Sequence, residues 1–212
     1  MGVPNTLSDS RRYLWRQLAQ WHYRLSEAKC SMKTYHHGDL AAALLRAASA
    51  LLEKEGVSGL SLREAARRAG VSHNAPYRHF PDRDALLTAL AAEGFEILTS
   101  EMRGQTSRAM GEAYVRFAVD NPQRFRLMFG GPLSIEKHAA LRNAGQAAYQ
   151  TLVDAFNEIP HPERAAAAAW SLMHGLAQLL LDGHFSGAVA KAGGPEIFVR
   201  EVLSAVRFAL TR

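Results

Sequence analysis

Between residues 73 and 79 the chain gathers His73, Asn74, Tyr77, Arg78 and His79, short polar and cationic side chains whose shared chemistry is recognition of nucleic acid. An asparagine amide forms paired hydrogen bonds with adenine, an arginine guanidinium does so with guanine or grips a phosphate, and a tyrosine hydroxyl donates to a phosphate oxygen. Catalytic grammar is missing: the sequence has no H-E-x-x-H, no glycine-rich phosphate loop and no G-x-S-x-G elbow. A small-molecule-binding or metal-dependent enzyme built on a helical bundle stands as the alternative. Its metal would fall to Asp182 and His184 with His174, but a charged helix terminus accounts for the first two as well. Neither a metal nor a cofactor is expected.

These groups need a helix to present them and a second element to hold that helix. Ser61 and Glu64 have the S-x-x-E spacing of a capping box, which predicts a helix starting at Ser61. Leu62, Ala65, Ala66 and Ala69 recur as one apolar stripe, leaving Arg63, Arg67 and Arg68 off it. Gly70 supplies the left-handed conformation that ends the helix. Val71 can plug the corner, and Ser72 can cap a second helix whose Tyr77 and Phe80 face back onto the first. Two short helices around such a turn make a helix-turn-helix. Pro76 leaves the start of the second helix open. With Ser72 as cap, the proline ends the first turn and sacrifices a hydrogen bond; with Asn74 as cap, it falls where that donor was spare.

The run from Tyr35 to Leu90 closely resembles the DNA-binding domain of the TetR/AcrR family of bacterial transcription regulators. The resemblance rests on Glu-Gly-Val-x-Gly-Leu-Ser-Leu from Glu55, Ala-Gly-Val-Ser from Ala69, and Tyr-Arg-His-Phe-Pro-Asp-Arg-Asp-Ala-Leu from Tyr77. Pro76 departs from it, since many members carry an aliphatic residue there. The resemblance implies an all-α protein, with a helix-turn-helix DNA-binding domain over residues 33–82 and a helical-bundle ligand-binding and dimerisation domain over 83–212. It implies double-stranded operator DNA as partner, contacted at Ser61, Arg63, Ser72, His73, Asn74, Tyr77, Arg78, His79 and Arg83, the last matching a basic phosphate contact of the family. Repression of a palindromic operator by a ligand-inducible homodimer follows from the resemblance alone.

Charge placement agrees with a polyanion partner at one end. Residues 33–80 carry seven basic groups (Lys33, Arg46, Lys54, Arg63, Arg67, Arg68, Arg78) against four acidic ones. Residues 1–32 carry five (Arg11, Arg12, Arg16, Arg24, Lys29) against two, so all the excess of the +5 net charge is amino-terminal. With 212 residues, 48% of them hydrophobic, the chain can build one or two real cores. No apolar run approaches the ~18 residues needed to span a bilayer, and no signal-type stretch opens the chain. A cytoplasmic protein without a membrane partner is expected. The single cysteine, Cys30, excludes an internal disulfide.

Residues 1–32 read as an amino-terminal extension. Tyr13, Leu14, Leu18, Trp21 and Leu25 can line one face of a basic helix that grips DNA or a membrane surface. The alternative is that Met32 opens the native chain, as MKTYHHGDL opens many family members. Lys33 to His37 can act as a basic arm, and Asp39 can cap a helix whose Leu44, Ala48, Leu51 and Leu52 form a core stripe ending before Gly56.

Downstream, punctuation predicts helices and no strands. One long helix follows Asp82, with Gly94 as a weak point; others run to Asp120, from Pro122 to Gly130, over His138–Ile159, from Pro162 to Gly183, and from Glu196 to Leu210. Trp170, His174 and Gly175 make a W-x-x-x-H-G element, and with YVRFAVDNPQRFRLMF they resemble a carboxy-terminal subtype of the family, the WHG type. Trp170 and His174 share a helix face, where an indole N–H and an imidazole can orient a small, mainly apolar effector. Tyr114, Phe117, Phe125, Met128, Phe129, Tyr149, Met173 and Gln178 complete the candidates for that site. Each, His174 included, also reads as ordinary core. Dimerisation is expected on Ala165–Ala169 and on Leu172, Leu176, Leu179, Leu180, Val199, Val202, Val206 and Leu210 of the last two long helices.

Overall fold

The computed structural model describes residues 40–130, 133 and 138–206; the expectations for residues 1–39 and for Leu210 lie outside them. Every regular element among the described residues is helical. In chain order they are α1 (Leu40–Gly59), α2 (Leu62–Arg68), a 3₁₀ turn (Ala75–Arg78), α3 (Arg83–Met102), α4 (Ser107–Asp120), α5 (Pro122–Gly130), α6 (Ala139–Asp154), α7 (Pro162–Leu181), α8 (Ser186–Ala192) and α9 (Pro195–Ala205). None is long and apolar enough to cross a membrane.

The punctuation holds at most boundaries, including the break of α1 at Gly56, which takes non-helical φ 71°, and it shifts at three. α9 stops at Ala205, before extended Val206, and not at Leu210. α6 stops at Asp154 and not at Ile159, because the chain there closes in successive short-range turns, Ala155 N–H to Leu152 and Phe156 N–H to Val153. The seven-residue α8, between left-handed Gly183 and Gly193, was not anticipated and is too short to show a periodicity.

Packing divides the chain into two compact units. Among the described residues, one holds 40–100 with 121–150 and the other 101–120 with 151–206. Packing thus groups α5 and most of α6 with the helix-turn-helix, whereas the family resemblance groups them with the effector body.

In the first unit, Leu44, Ala48, Leu51 and Leu52 of α1 are buried, as are Leu62, Ala65 and Ala66 of α2 and Leu86, Leu87 and Leu90 of α3. Each fully buried leucine contributes roughly 1.5–3 kcal/mol. α5 joins this core through polar groups. The Glu53 carboxylate of α1 accepts from the N–H groups of Gln123 at 3.1 Å and Arg124 at 2.9 Å, capping the first turn of α5 from another helix. The buried Arg124 side chain donates from Nη1 to Glu93 at 3.0 Å and from Nη2 to Ser49 at 2.5 Å, tying α5 to α3 and α1. Gly94 does not interrupt α3. A Cβ there would lie 2.6 Å from Met128 Sδ and 3.1 Å from Arg124 Cδ, so its absence is what lets α5 approach.

In the second unit, α4 packs on both α7 and α9, and α8 on α9. Gly111 permits the closest approach: a Cβ on it would stand 3.1 Å from Met173 Sδ and 3.2 Å from Leu203 Cδ1.

The cap on α5 gives a stability prediction. Glu53→Ala removes the acceptor of two N–H groups and should cost about 1–2 kcal/mol in urea unfolding, while Glu55→Ala on the exposed face should change stability by a few tenths at most, roughly. Equal losses at the two positions would contradict the cap.

Candidate DNA-reading face and effector site

The reading face begins with a helix whose two ends are fixed locally. Ser61 takes extended backbone, and its hydroxyl accepts from Glu64 N–H at 3.1 Å. The reciprocal half of the predicted box is replaced: the Glu64 carboxylate receives Arg67 Nε at 2.8 Å and Nη2 at 2.5 Å. That hydrogen bond holds Glu64 below its ordinary pKa. At the far end Gly70, at φ 71°, gives its N–H to Arg67, and Val71 gives its own to Ala66 at 3.0 Å. This paired pattern is a Schellman motif, which is why glycine stands there.

The second helix of the motif is a single 3₁₀ turn starting at Ala75. Ser72 contributes its carbonyl, accepting from Ala75 N–H at 3.0 Å, and Pro76 falls in the first turn where no donor is needed. The start near Asn74 is therefore the one realised, without a side-chain cap. One expectation is corrected. Tyr77 does not face back onto α2 but is 49% exposed, and the inward positions are Pro76 and Phe80, the latter 7% exposed. The reason is the bond four residues on: the Pro76 carbonyl accepts from Phe80 N–H at 2.9 Å as well as from His79 N–H, and the former brings residues 76 and 80 to the same side. Arg63, Ser72, His73, Asn74, Tyr77, Arg78 and His79 are all exposed.

Arg83 stands apart from these exposed residues. It is half-buried, and its guanidinium donates to Leu60 carbonyl at 2.8 Å and to Val57 carbonyl. These bonds hold it at the corner between α1 and α2. Asp82 caps α3 as expected, accepting from Ala85 N–H at 2.7 Å.

In the second unit the W-x-x-x-H-G element finds its partner on α4. Trp170 Nε1–H donates to the Tyr114 hydroxyl at 3.0 Å, and that hydroxyl lies 2.9 Å from His174 Nδ1. An indole N–H only donates, so the phenol oxygen accepts from it; the same hydroxyl pairs with His174 Nδ1, and the tautomer of the imidazole decides which of those two donates. Burial pushes the Tyr114 phenol upward, the indole bond pulling against it, and burial lowers His174 below its ordinary value. Gly175 has nothing within 4 Å of the place a Cβ would occupy.

Residues 44–90 match the family described as bacterial regulatory proteins, tetR family, and residues 107–205 match the tetracyclin repressor-like C-terminal domain. The chain belongs to the TetR family. Both descriptions are of regulatory proteins, so it is a TetR-family transcriptional regulator and not an enzyme. It is 34% identical over 103 residues to the HTH-type transcriptional regulator Rv1816 of Mycobacterium tuberculosis (strain ATCC 25618 / H37Rv), a match spanning 43% of this chain and 44% of that one. A protein of unknown function from Rhodococcus sp. RHA1 shares the fold at TM-score 0.67 and 36% identity, over 82% of this chain and 94% of that one. The putative regulatory protein SCO4313 follows at TM-score 0.64 and 26% identity, over 80% and 97% of the two chains.

The ten effector candidates of this TetR-family chain are divided between the units. Phe125, Met128, Phe129 and Tyr149 lie in the first, where Phe129 packs against Phe95 at 5.2 Å and Phe125 at 4.9 Å between ring centroids. Tyr114, Phe117, Trp170, Met173, His174 and Gln178 lie in the second. Gln178 Nε2 is engaged along its own helix by Asp182 at 3.0 Å. Among the described residues no three His, Cys, Asp or Glu side chains are grouped to hold a metal. Sequence reasoning missed Pro76 as an anchor and the Trp170–Tyr114 bond, whose partners stand 56 residues apart.

The neutral His174 carries a pH signature. Its folded-state pKa is depressed, so its contribution to stability is complete above about pH 6.5 and is lost as pH falls through the lower folded value. Urea unfolding of the native protein should weaken between pH 7.5 and 5.5 by more than that of His174→Gln, which does not titrate. Tyr114→Phe should cost about 0.5–1.5 kcal/mol at neutral pH by removing the hydroxyl that both partners share. Parallel pH profiles for the native chain and His174→Gln would contradict the downward shift of His174.

Proposed function

We propose that this TetR-family regulator is a ligand-inducible repressor acting in the cytoplasm, and that it binds a palindromic operator as a homodimer. The observation carrying the DNA-reading part is the inside-out division of the turn, in which Pro76 and Phe80 are buried and Ser72, His73, Asn74, Tyr77, Arg78 and His79 are all exposed. In this reading Ser61, Arg63, Tyr77 and Arg78 hold phosphates, His73 and Asn74 face base edges, and Ser72 and His79 flank them. Arg83 acts as a positioning residue. Residues 33–82 then read DNA, while 83–212 bind effector and dimerise.

For the dimer, the expected surface narrows. Leu176, Leu180 and Val199 are consumed by the protomer's own core. Ala168, Ser171, Gly175 and Leu179 instead share the outward face of α7, and Leu179 and Ile197 are 41% and 44% exposed. Two-fold pairing there would place the reading turns about one duplex turn, 34–36 Å, apart. Induction requires an effector that prefers the conformation unfit for DNA, since equal binding to both shifts nothing.

Two substitutions separate the roles. Arg78→Ala should weaken all DNA sequences alike and reduce the salt slope by about one, whereas Asn74→Ala should lose about 1–3 kcal/mol of discrimination at one base pair. Unchanged site preference in Asn74→Ala, measured on DNA selected by the native protein, would remove the base-reading assignment. Light scattering should give a dimer at micromolar concentration; a monomer that still binds DNA fully would overturn the two-fold arrangement.

A further inference from the structure

Where the start of α4, the middle of α7 and the end of α9 meet, a cleft of about 250 Å³ opens. That is room for roughly eight molecules of water at about 30 Å³ each. Gly111, Met173 and Leu203 form its close-packed floor, and Leu172 and Val206 extend its apolar lining. Among the described residues the polar side chains lining it are Ser107 and Arg108, both exposed, and none of its lining is acidic. A second groove on the same unit, bordered by Glu112, Arg116, Glu196 and Arg200, encloses about 60 Å³ and balances its charges, so it favours neither sign.

The cleft adjoins the hydrogen-bonded trio. Met173 lies between Trp170 and His174 on α7, and Gly111 stands one turn before Tyr114 on α4. The phenol, indole and imidazole are turned toward one another, so a ligand's polar head has Arg108 and Ser107 to address. An arginine stays charged at any working pH and matches a carboxylate in geometry. We propose that this cleft is the effector seat and takes a small amphipathic carboxylate, an alkanoate with about eight to ten non-hydrogen atoms; the proposal rests on the ligand-inducible reading above and names its chemistry. The alkyl chain lies on Leu172, Met173, Leu203 and Val206, and the carboxylate meets Arg108.

Isothermal titration of the full chain with sodium octanoate, 1-octanol and octylamine tests this. Octanoate should bind one per chain, octanol more weakly and octylamine not at all. Arg108→Gln should weaken octanoate by about tenfold or more and leave octanol unchanged, and Leu172→Trp, which fills the cleft, should abolish both. Failure of octanoate to bind, or equal binding to Arg108→Gln, overturns the proposal. Mobility shifts on DNA selected by the native protein separate it from the broader reading. Octanoate that binds as described yet leaves DNA affinity unchanged removes the regulatory role and leaves the site. Another compound that releases DNA while octanoate does not bind removes the carboxylate and leaves inducibility.

Discussion

Two backbone carbonyls, those of Val57 and Leu60, decide where the reading turn points. They lie just past the kink of α1 at Gly56, where the Val57 carbonyl also accepts from Leu60 N–H at 3.3 Å, and the Arg83 guanidinium takes both. The first turn of α3 is thereby fastened to the corner that launches α2. At the other end of α2 the paired N–H bonds of Gly70 and Val71 set the exit direction. The segment from Ser61 to Arg83 is therefore held at both ends by peptide groups, with Pro76 and Phe80 as the apolar anchors between them. A segment held this way has little conformational freedom left to lose on binding a partner.

Polar attachment recurs in α5. A buried ion pair contributes little net stability compared with apolar packing, because desolvation offsets its attraction. What Arg124, Glu93, Ser49 and Glu53 supply is registration: the start of α5 has one place on α1 and α3, and Gly94 lets it come close. α4, which carries Tyr114, is separated from α5 by Asn121 alone.

What could be read in the sequence was what is decided within a few residues. Ser61 as cap, Gly70 as stop, Asp82 as cap and Pro122 and Pro162 as openers are local choices, and each stands where the spacing puts it. Tyr77 went the other way because the Pro76 carbonyl also accepts from Phe80 N–H four residues on, which brings Pro76 and Phe80 inward together. Arg83 was legible as a cation but not as a clasp, since its acceptors are 23 and 26 residues earlier. The shared face of Trp170 and His174 followed from helical period, yet the phenol that joins them comes from another helix. Phe125, Met128, Phe129 and Tyr149 looked no different in sequence from Phe117 and Met173; only packing assigns them to a different unit.

The central claim is that this TetR-family chain reads DNA in pairs through the turn at residues 72–79. Hydroxyl-radical footprinting on DNA selected by the purified full chain tests it most directly. The account predicts two symmetric patches of protection on one face of the duplex, centred about 10–10.5 base pairs apart, both lost when His73, Asn74 and Arg78 are replaced together by alanine. A single unsymmetrical patch, or two patches that survive that replacement, would contradict it.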